Sequence, residues 1–313
     1  MAAYVAPAPA LPPALPGAWR ELRGRAGRLG CYVDGDGPPM LLVHSINAAG
    51  SAYEVRPIYQ WARGRYRVWA VDLPGFGTSD RSDRPYDVPL YVAAIHDVLD
   101  AILAESGALA VDALAISLGS EFLARATTER PNEVRSLALV TPTGFSASYA
   151  ALSGPPGSTR EIPGLHRFFT VPLWSQGFYD LLVSRRSIRY FLQRTYGAKA
   201  IDEGLLEYDY LTAHQPGARH APYAFVSGRL FSRDIQEVYR RLTQPVWVPH
   251  ATRGDFKDFS AAGWARQRPN WRFQPFEAGA LPHFEQPEAF LADYEAFLAG
   301  AGQSDSPPRS PSP

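Results

Sequence analysis

Four short apolar runs constrain the fold more than any other feature: Met40–Val43, Arg67–Leu73, Leu109–Ser117 and Ser136–Val140. Each is too short for a core helix. Each also lacks the polar alternation of a strand with one wet face, as expected of strands covered on both sides. Stretches with helical apolar spacing separate them: about 48–63, then a helix capped by Asp87 with Tyr91, Ile95, Val98, Leu99 and Ile102 on one face, then 121–128. Before them, residues 21–36 read as a hairpin leading to the turn at Asp34-Gly35-Asp36-Gly37. After them come strands at Pro245–Val248 and Trp271–Phe276 and a closing helix at Pro287–Leu298. Strands alternating with helices dictate an α/β fold: a doubly wound, mostly parallel sheet with right-handed crossovers.

Residues 144–242 interrupt this rhythm. They are helical in period, rich in aromatics and contain no buried-strand run, so a helical insertion over the sheet is expected. The expected organisation is a Pro/Ala-rich disordered arm over 1–17, a core of 18–143 and 243–302, a helical cap of 144–242, and a disordered tail of 303–313.

Composition excludes several classes of function. Lys+Arg and Asp+Glu are 31 each, which gives no basic surplus for nucleic acid or an anionic membrane. Cys31 is the sole cysteine, so no internal disulfide and no multi-cysteine metal site can form. No apolar run reaches membrane-spanning length, and the first residues lack the pattern of a signal peptide, so a cytoplasmic protein is expected. No HExxH, GxxxxGK[ST] or EF-hand pattern occurs, and neither metal nor cofactor is expected.

The chemistry concentrates at Leu114-Ala115-Ile116-Ser117-Leu118-Gly119-Ser120. A strand passes into a helix through a tight turn whose central serine has small residues two positions away on each side. Such a turn strains the central residue and presents its Oγ above the carboxyl edge of the sheet, at a helix N-terminus that favours negative charge. An ordinary strand–helix turn with a capping serine is the structural alternative.

With Val43-His44-Ser45-Ile46-Asn47 after the third strand, Asp72-Leu73-Pro74-Gly75-Phe76-Gly77-Thr78-Ser79 after the fourth, the Ser117 turn after the fifth and Pro282-His283-Phe284-Glu285-Gln286-Pro287-Glu288 before the last helix, the chain resembles the α/β-hydrolase superfamily over about residues 21–300. Ala115 stands where the family usually has the first glycine of GxSxG, and Ser45 where it usually has glycine after histidine. The resemblance implies a lid at 144–242 and a cofactor-free serine hydrolase acting on an ester, thioester or related carbonyl bond of a small to medium apolar substrate. Ser117 would be the nucleophile, His283 the base and Asp255 the acid, with Asp258 on the same loop as the alternative acid. Asp258 precedes Phe259-Ser260-Ala261-Ala262, where it has a ready capping role. The backbone N–H groups of Ile46 and Leu118 would hold the oxyanion. Ser45, Asn47 and His250 are candidate substrate contacts, His250 also being a rival base, and His44 is expected to hydrogen-bond its own loop. Asp72 is expected to stabilise a turn. The same scaffold carries C–C hydrolases, perhydrolases, lyases and acyltransferases, and a non-catalytic ligand-binding member is the remaining alternative.

Overall fold

The computed structural model describes residues 11–150 and 154–303. Eight strands form one sheet: β1 (Ala18–Gly24), β2 (Gly27–Asp34), β3 (Pro39–Val43), β4 (Arg67–Val71), β5 (Val111–Ile116), β6 (Val134–Val140), β7 (Val246–Ala251) and β8 (Trp271–Phe276), in the order β1-β2-β4-β3-β5-β6-β7-β8. β1 and β2 form an antiparallel hairpin, β2 runs antiparallel to β4, and the other neighbours are parallel.

The apolar runs divide their side chains between the two faces at a period of two. Leu41, Val43, Ala113, Ala115, Leu137 and Leu139 face a core shared with α2 (Val88–Ser106) and α3 (Gly119–Glu129). Met40, Leu42, Leu114, Ile116, Ala138 and Val140 face the opposite core, shared with α1 (Arg56–Ala62) and α13 (Pro287–Gln303). Asp87 caps α2 by accepting from Leu90 N at 3.0 Å. The helix expected over 48–63 is shorter: a loop, a 3₁₀ turn at Ala52–Val55, then α1. Ser51 ends the loop by accepting from Tyr53 N, and a proline at the start of α1 suits the first helical turn.

Between β6 and β7 the described residues form α4 (Ala147–Ala150), α5 (Leu165–Phe169), α6 (Ser175–Leu182), α7 (Arg185–Tyr196), α8 (Glu203–Ala213), α9 (His220–Val226) and α10 (Ile235–Arg240). α11 (Gly263–Arg266) follows β7, and α12 (Pro282–Glu285) precedes α13. No described helix is long and apolar enough to cross a membrane.

The expectation of a disordered arm over 1–17 requires correction for its described part. Ala14 and Leu15 are buried in the core beneath α1 and α8. Three tyrosines bind the arm: Tyr32 Oη accepts from Ala14 N (3.1 Å), while Tyr208 Oη donates to Pro12 O (2.9 Å) and Tyr59 Oη to Pro16 O (3.0 Å). Proline lacks an N–H but keeps its carbonyl, and its fixed φ lowers the entropy lost on docking, so a Pro-rich segment opposite tyrosine hydroxyls can bind in extended form. Residues 1–10 and the tail from 304 lie outside the described residues.

Candidate active site

β5 ends at Ile116, and Ser117 follows with φ +50°, in the left-handed region that a non-glycine residue adopts only at a cost. Ser117 N donates to Val140 O at 2.9 Å, tying the turn to the end of β6. The strand enters α3 so tightly that a Cβ at Gly119 would lie 2.4 Å from His44 O. A glycine is needed there because the β3 loop passes directly over the helix start. Thr141, at the end of neighbouring β6, also has positive φ (+44°), and its buried Oγ1 has no partner among the described residues. Two strained polar residues at adjacent strand ends are of the kind found where a fold positions chemistry.

The two amides expected to serve as oxyanion donors, Ile46 N and Leu118 N, carry no hydrogen bond among the described residues, although both residues are buried. A buried, unpaired amide is uncommon and marks where an acceptor can bind. A buried carboxylate holds the Ile46 loop: Glu54 accepts from Ser45 N (2.8 Å), Ser45 Oγ (3.0 Å) and Asn47 Nδ2 (2.7 Å). The side chains of Ser45 and Asn47 are therefore committed to Glu54 rather than turned to a substrate, although Asn47 still lines a cavity. His44 fixes the other side of the loop. Its Nε2 accepts from Leu73 N (2.9 Å), which leaves Nδ1–H to donate to Ser45 O. Asp72 accepts from Ala52 N and from Thr78 N and Oγ1, the turn-holding role expected of it.

The base and the acid are not assembled with the nucleophile. His283, at the start of α12, is fully buried against Phe284 and Phe290. Its Nε2 lies 2.7 Å from Glu54 O. A carbonyl only accepts, so Nε2 carries the proton and Nδ1 is bare. Nδ1 is also buried without a partner. A serine relay needs the reverse tautomer, with Nδ1–H on the acid and Nε2 free for the serine. Burial also pushes the His283 pKa down to about 4, so the ring is neutral at physiological pH. Gly279-Ala280, not an imidazole, occupies the loop after β8, where Ala280 N donates to Thr195 O of α7.

Asp255 is half-exposed, and its Oδ2 accepts from Arg194 Nε of α7 at 2.5 Å. The expected left-handed turn before it exists, with Gly254 at φ +76°. It turns the chain toward the helices instead: a Cβ on Gly197, which ends α7, would lie 2.4 Å from Gly254 N. Asp258 ties down the loop, accepting from Ser260 N (3.0 Å) and Ala147 N (2.9 Å), and the Ser260 hydroxyl, followed by these two amides, holds its carboxyl below the usual range. His250 packs on Phe259, with Ala251 O and Arg266 as its polar neighbours, and burial lowers its pKa. None of the seven histidines hydrogen-bonds Ser117 among the described residues.

Two buried carboxyls stand out that nothing in the sequence pattern singles out. Glu121, one turn beyond Ser117 on α3, accepts from Thr143 Oγ1 and Ser232 N, joining α3 to the segment before α10; burial pushes its pKa up to about 7. Asp209 on α8 lines a cavity of about 390 Å³ between the loop at Asn47–Ala49 and helices α6 to α9. Its other walls are mostly apolar, among them Leu182, Ile188, Leu192 and Phe225. Both acids sit in helical stretches of mixed composition, where the spacing does not mark them as buried. Among the described residues no cluster of three or more His, Cys, Asp or Glu side chains could hold a metal ion.

Residues 38–218 match the family model for the alpha/beta hydrolase fold. The chain belongs to the α/β-hydrolase fold family. Among solved structures this α/β hydrolase resembles a serine hydrolase involved in carbazole degradation (TM-score 0.69, 17% identity, covering 90% of this chain and 98% of the other). It also resembles a meta-cleavage product hydrolase from Pseudomonas fluorescens IP01 (0.68, 18%, 90% and 98%) and a probable hydrolytic enzyme from Pseudomonas aeruginosa PAO1 (0.69, 21%, 92% and 96%). At these identities the likeness is one of fold. No curated protein sequence matched the chain.

Proposed function

We propose that this α/β hydrolase uses Ser117 as a nucleophile toward the carbonyl of a small to medium apolar substrate, an ester or thioester in the first instance. The substrate would be held beneath a lid formed by residues 144–242. The observation that carries the reading is the left-handed Ser117, with the amides of Ile46 and Leu118 left without hydrogen bonds among the described residues. Attack by Oγ would place negative charge on the substrate oxygen, and these amides are the groups able to receive it.

The proton acceptor is not the His283–Asp255 pair. Both nitrogens of His283 are accounted for elsewhere, one on Glu54 O and one bare and buried. A serine without an imidazole retains only the catalysis that the oxyanion donors and binding provide, roughly 10³–10⁴ over water in serine proteases stripped of their triad. Slow acylation and slow turnover are therefore the expected behaviour. A fluorophosphonate should label Ser117 at a rate that Ser117→Ala abolishes and His283→Ala leaves within a few-fold.

A second reading has its own supporting observation. Because no histidine hydrogen-bonds Ser117, the protein could serve as a ligand-binding member of the family, with the 390 Å³ cavity as its functional part. Folded protein that never forms an adduct at Ser117, yet binds apolar ligands saturably, would favour that reading. C–C bond cleavage, the chemistry of the meta-cleavage product hydrolase that shares this fold, also proceeds at a carbonyl, and Ser117 labelling would be compatible with it.

A further inference from the structure

Asp209 is 4% exposed and lines the cavity between α8 and the Asn47–Ala49 loop, yet no described residue donates a hydrogen bond to its carboxyl, and Oδ1 is wholly buried. A carboxyl held in this way works against the fold, because its lost hydration is not replaced. The cavity that Asp209 lines is the place from which a partner can reach it.

The surrounding charges indicate what kind of partner fits. Burial is the main cause that keeps the proton on Asp209, and Glu54 and then Asp202 add to it. Glu54 is already committed to Ser45 and Asn47, and Asp202 caps α8 by accepting from Leu205 N. On the opposite wall Arg194 is tied to Asp255 and Tyr190. No cation is among the charges that act on Asp209. A neutral acceptor could take a hydrogen bond from protonated Asp209 but would leave the field of Glu54 and Asp202 uncompensated. A positively charged donor would pair with Asp209, which lines the cavity, and would be attracted by the charges of Glu54 and Asp202 behind it.

We propose that Asp209 is the recognition group for a ligand with an apolar body and a protonated amine, held in this cavity as an ammonium–carboxylate pair. The proton balance is simple. An amine arriving as the free base takes the Asp209 proton; one arriving as ammonium displaces that proton to solvent. In both cases the bound pair is carboxylate and ammonium. The inference rests on the ligand-binding reading of this cavity given above, and binding itself does not require Ser117.

The test compares n-octylamine, 1-octanol and octanoate by titration calorimetry on full-length protein and on its Ser117→Ala and Asp209→Asn variants. The cavity corresponds to about a dozen water volumes at ~30 Å³ each, enough for such probes. Octylamine should bind at least about tenfold more tightly than octanol, a charged hydrogen bond's worth, in both wild type and Ser117→Ala. It should release close to one proton at pH 7, read from buffers of different ionisation enthalpy. Asp209→Asn should bring amine and alcohol within about threefold while keeping alcohol binding, and should raise Tm. Equal binding of octanol or octanoate by wild type, an amine preference that survives Asp209→Asn, or no proton release would each overturn the proposal. Proton release by wild type decides the matter even if the variant misfolds. Ser117 labelling is a separate readout: losing it leaves the amine preference intact, and losing the preference leaves the labelling intact.

Discussion

Leu15 lies in a stretch whose composition suggests a free tail, yet it is 2% exposed. Leu15→Ala removes three carbons from the core; at ~0.8 kcal/mol per buried CH₂ the loss is about 2.5 kcal/mol. A rigid site would add a cavity term that can bring the cost toward about 5 kcal/mol. The arm can move inward, so the lower figure is the expected one. With an unfolding entropy of about 2 cal/mol/K per residue, a chain of this size loses about 4 °C in Tm. Tyr208→Phe removes the bond to Pro12 O and should cost about 1 kcal/mol, close to 2 °C. Scanning calorimetry measures both, and Leu109→Ala serves as the control, since Leu109 is 91% exposed and should shift nothing. If Leu15→Ala melts with Leu109→Ala, the arm is not docked in solution and the tyrosine contacts are incidental.

Two further outcomes follow from the site. His283 titrates near 6.5 when unfolded and at about 4 when folded, so the unfolded chain binds the extra proton between these values. Stability should therefore decline from pH ~6.5 to about 4 and level off below, by at most roughly 3 kcal/mol for this group; His283→Phe should flatten that part of a urea-midpoint-versus-pH curve. Asp255→Asn breaks only a half-exposed pair with Arg194, so the fluorophosphonate labelling rate should stay within about threefold and Tm within about 2 °C; a fall of orders of magnitude would return Asp255 to the acid's role.

The fold was legible because the buried strands announce themselves as short apolar runs, and their division between two faces follows from a period of two. The Ser117 turn was legible for the same reason: small residues around Ser117 at a strand–helix junction leave one tight path, and the positive φ results from it. The partners of Ser117 were not. His283 and Asp255 occupy suitable places in chain order, but order does not tell which way an imidazole faces. The deciding contact, His283 Nε2 on Glu54 O, joins residues 229 apart. The arm misleads in the opposite sense: its prolines suggest disorder, while its docking depends on Tyr32, Tyr59 and Tyr208, which are scattered over the chain. Asp209 carries no signal in the sequence because its burial is set by the packing of α8 over the Asn47 loop, not by the residues beside it.

Whether Ser117 is a nucleophile that works without His283 is decided by intact-mass and peptide mass spectrometry of the folded protein after reaction with a fluorophosphonate, run in parallel on wild type, Ser117→Ala and His283→Ala. One adduct per chain is expected, located on Ser117, formed slowly, absent from Ser117→Ala and formed at a similar rate in His283→Ala. An adduct on a different residue, or labelling that is fast in wild type and lost in His283→Ala, would contradict this reading.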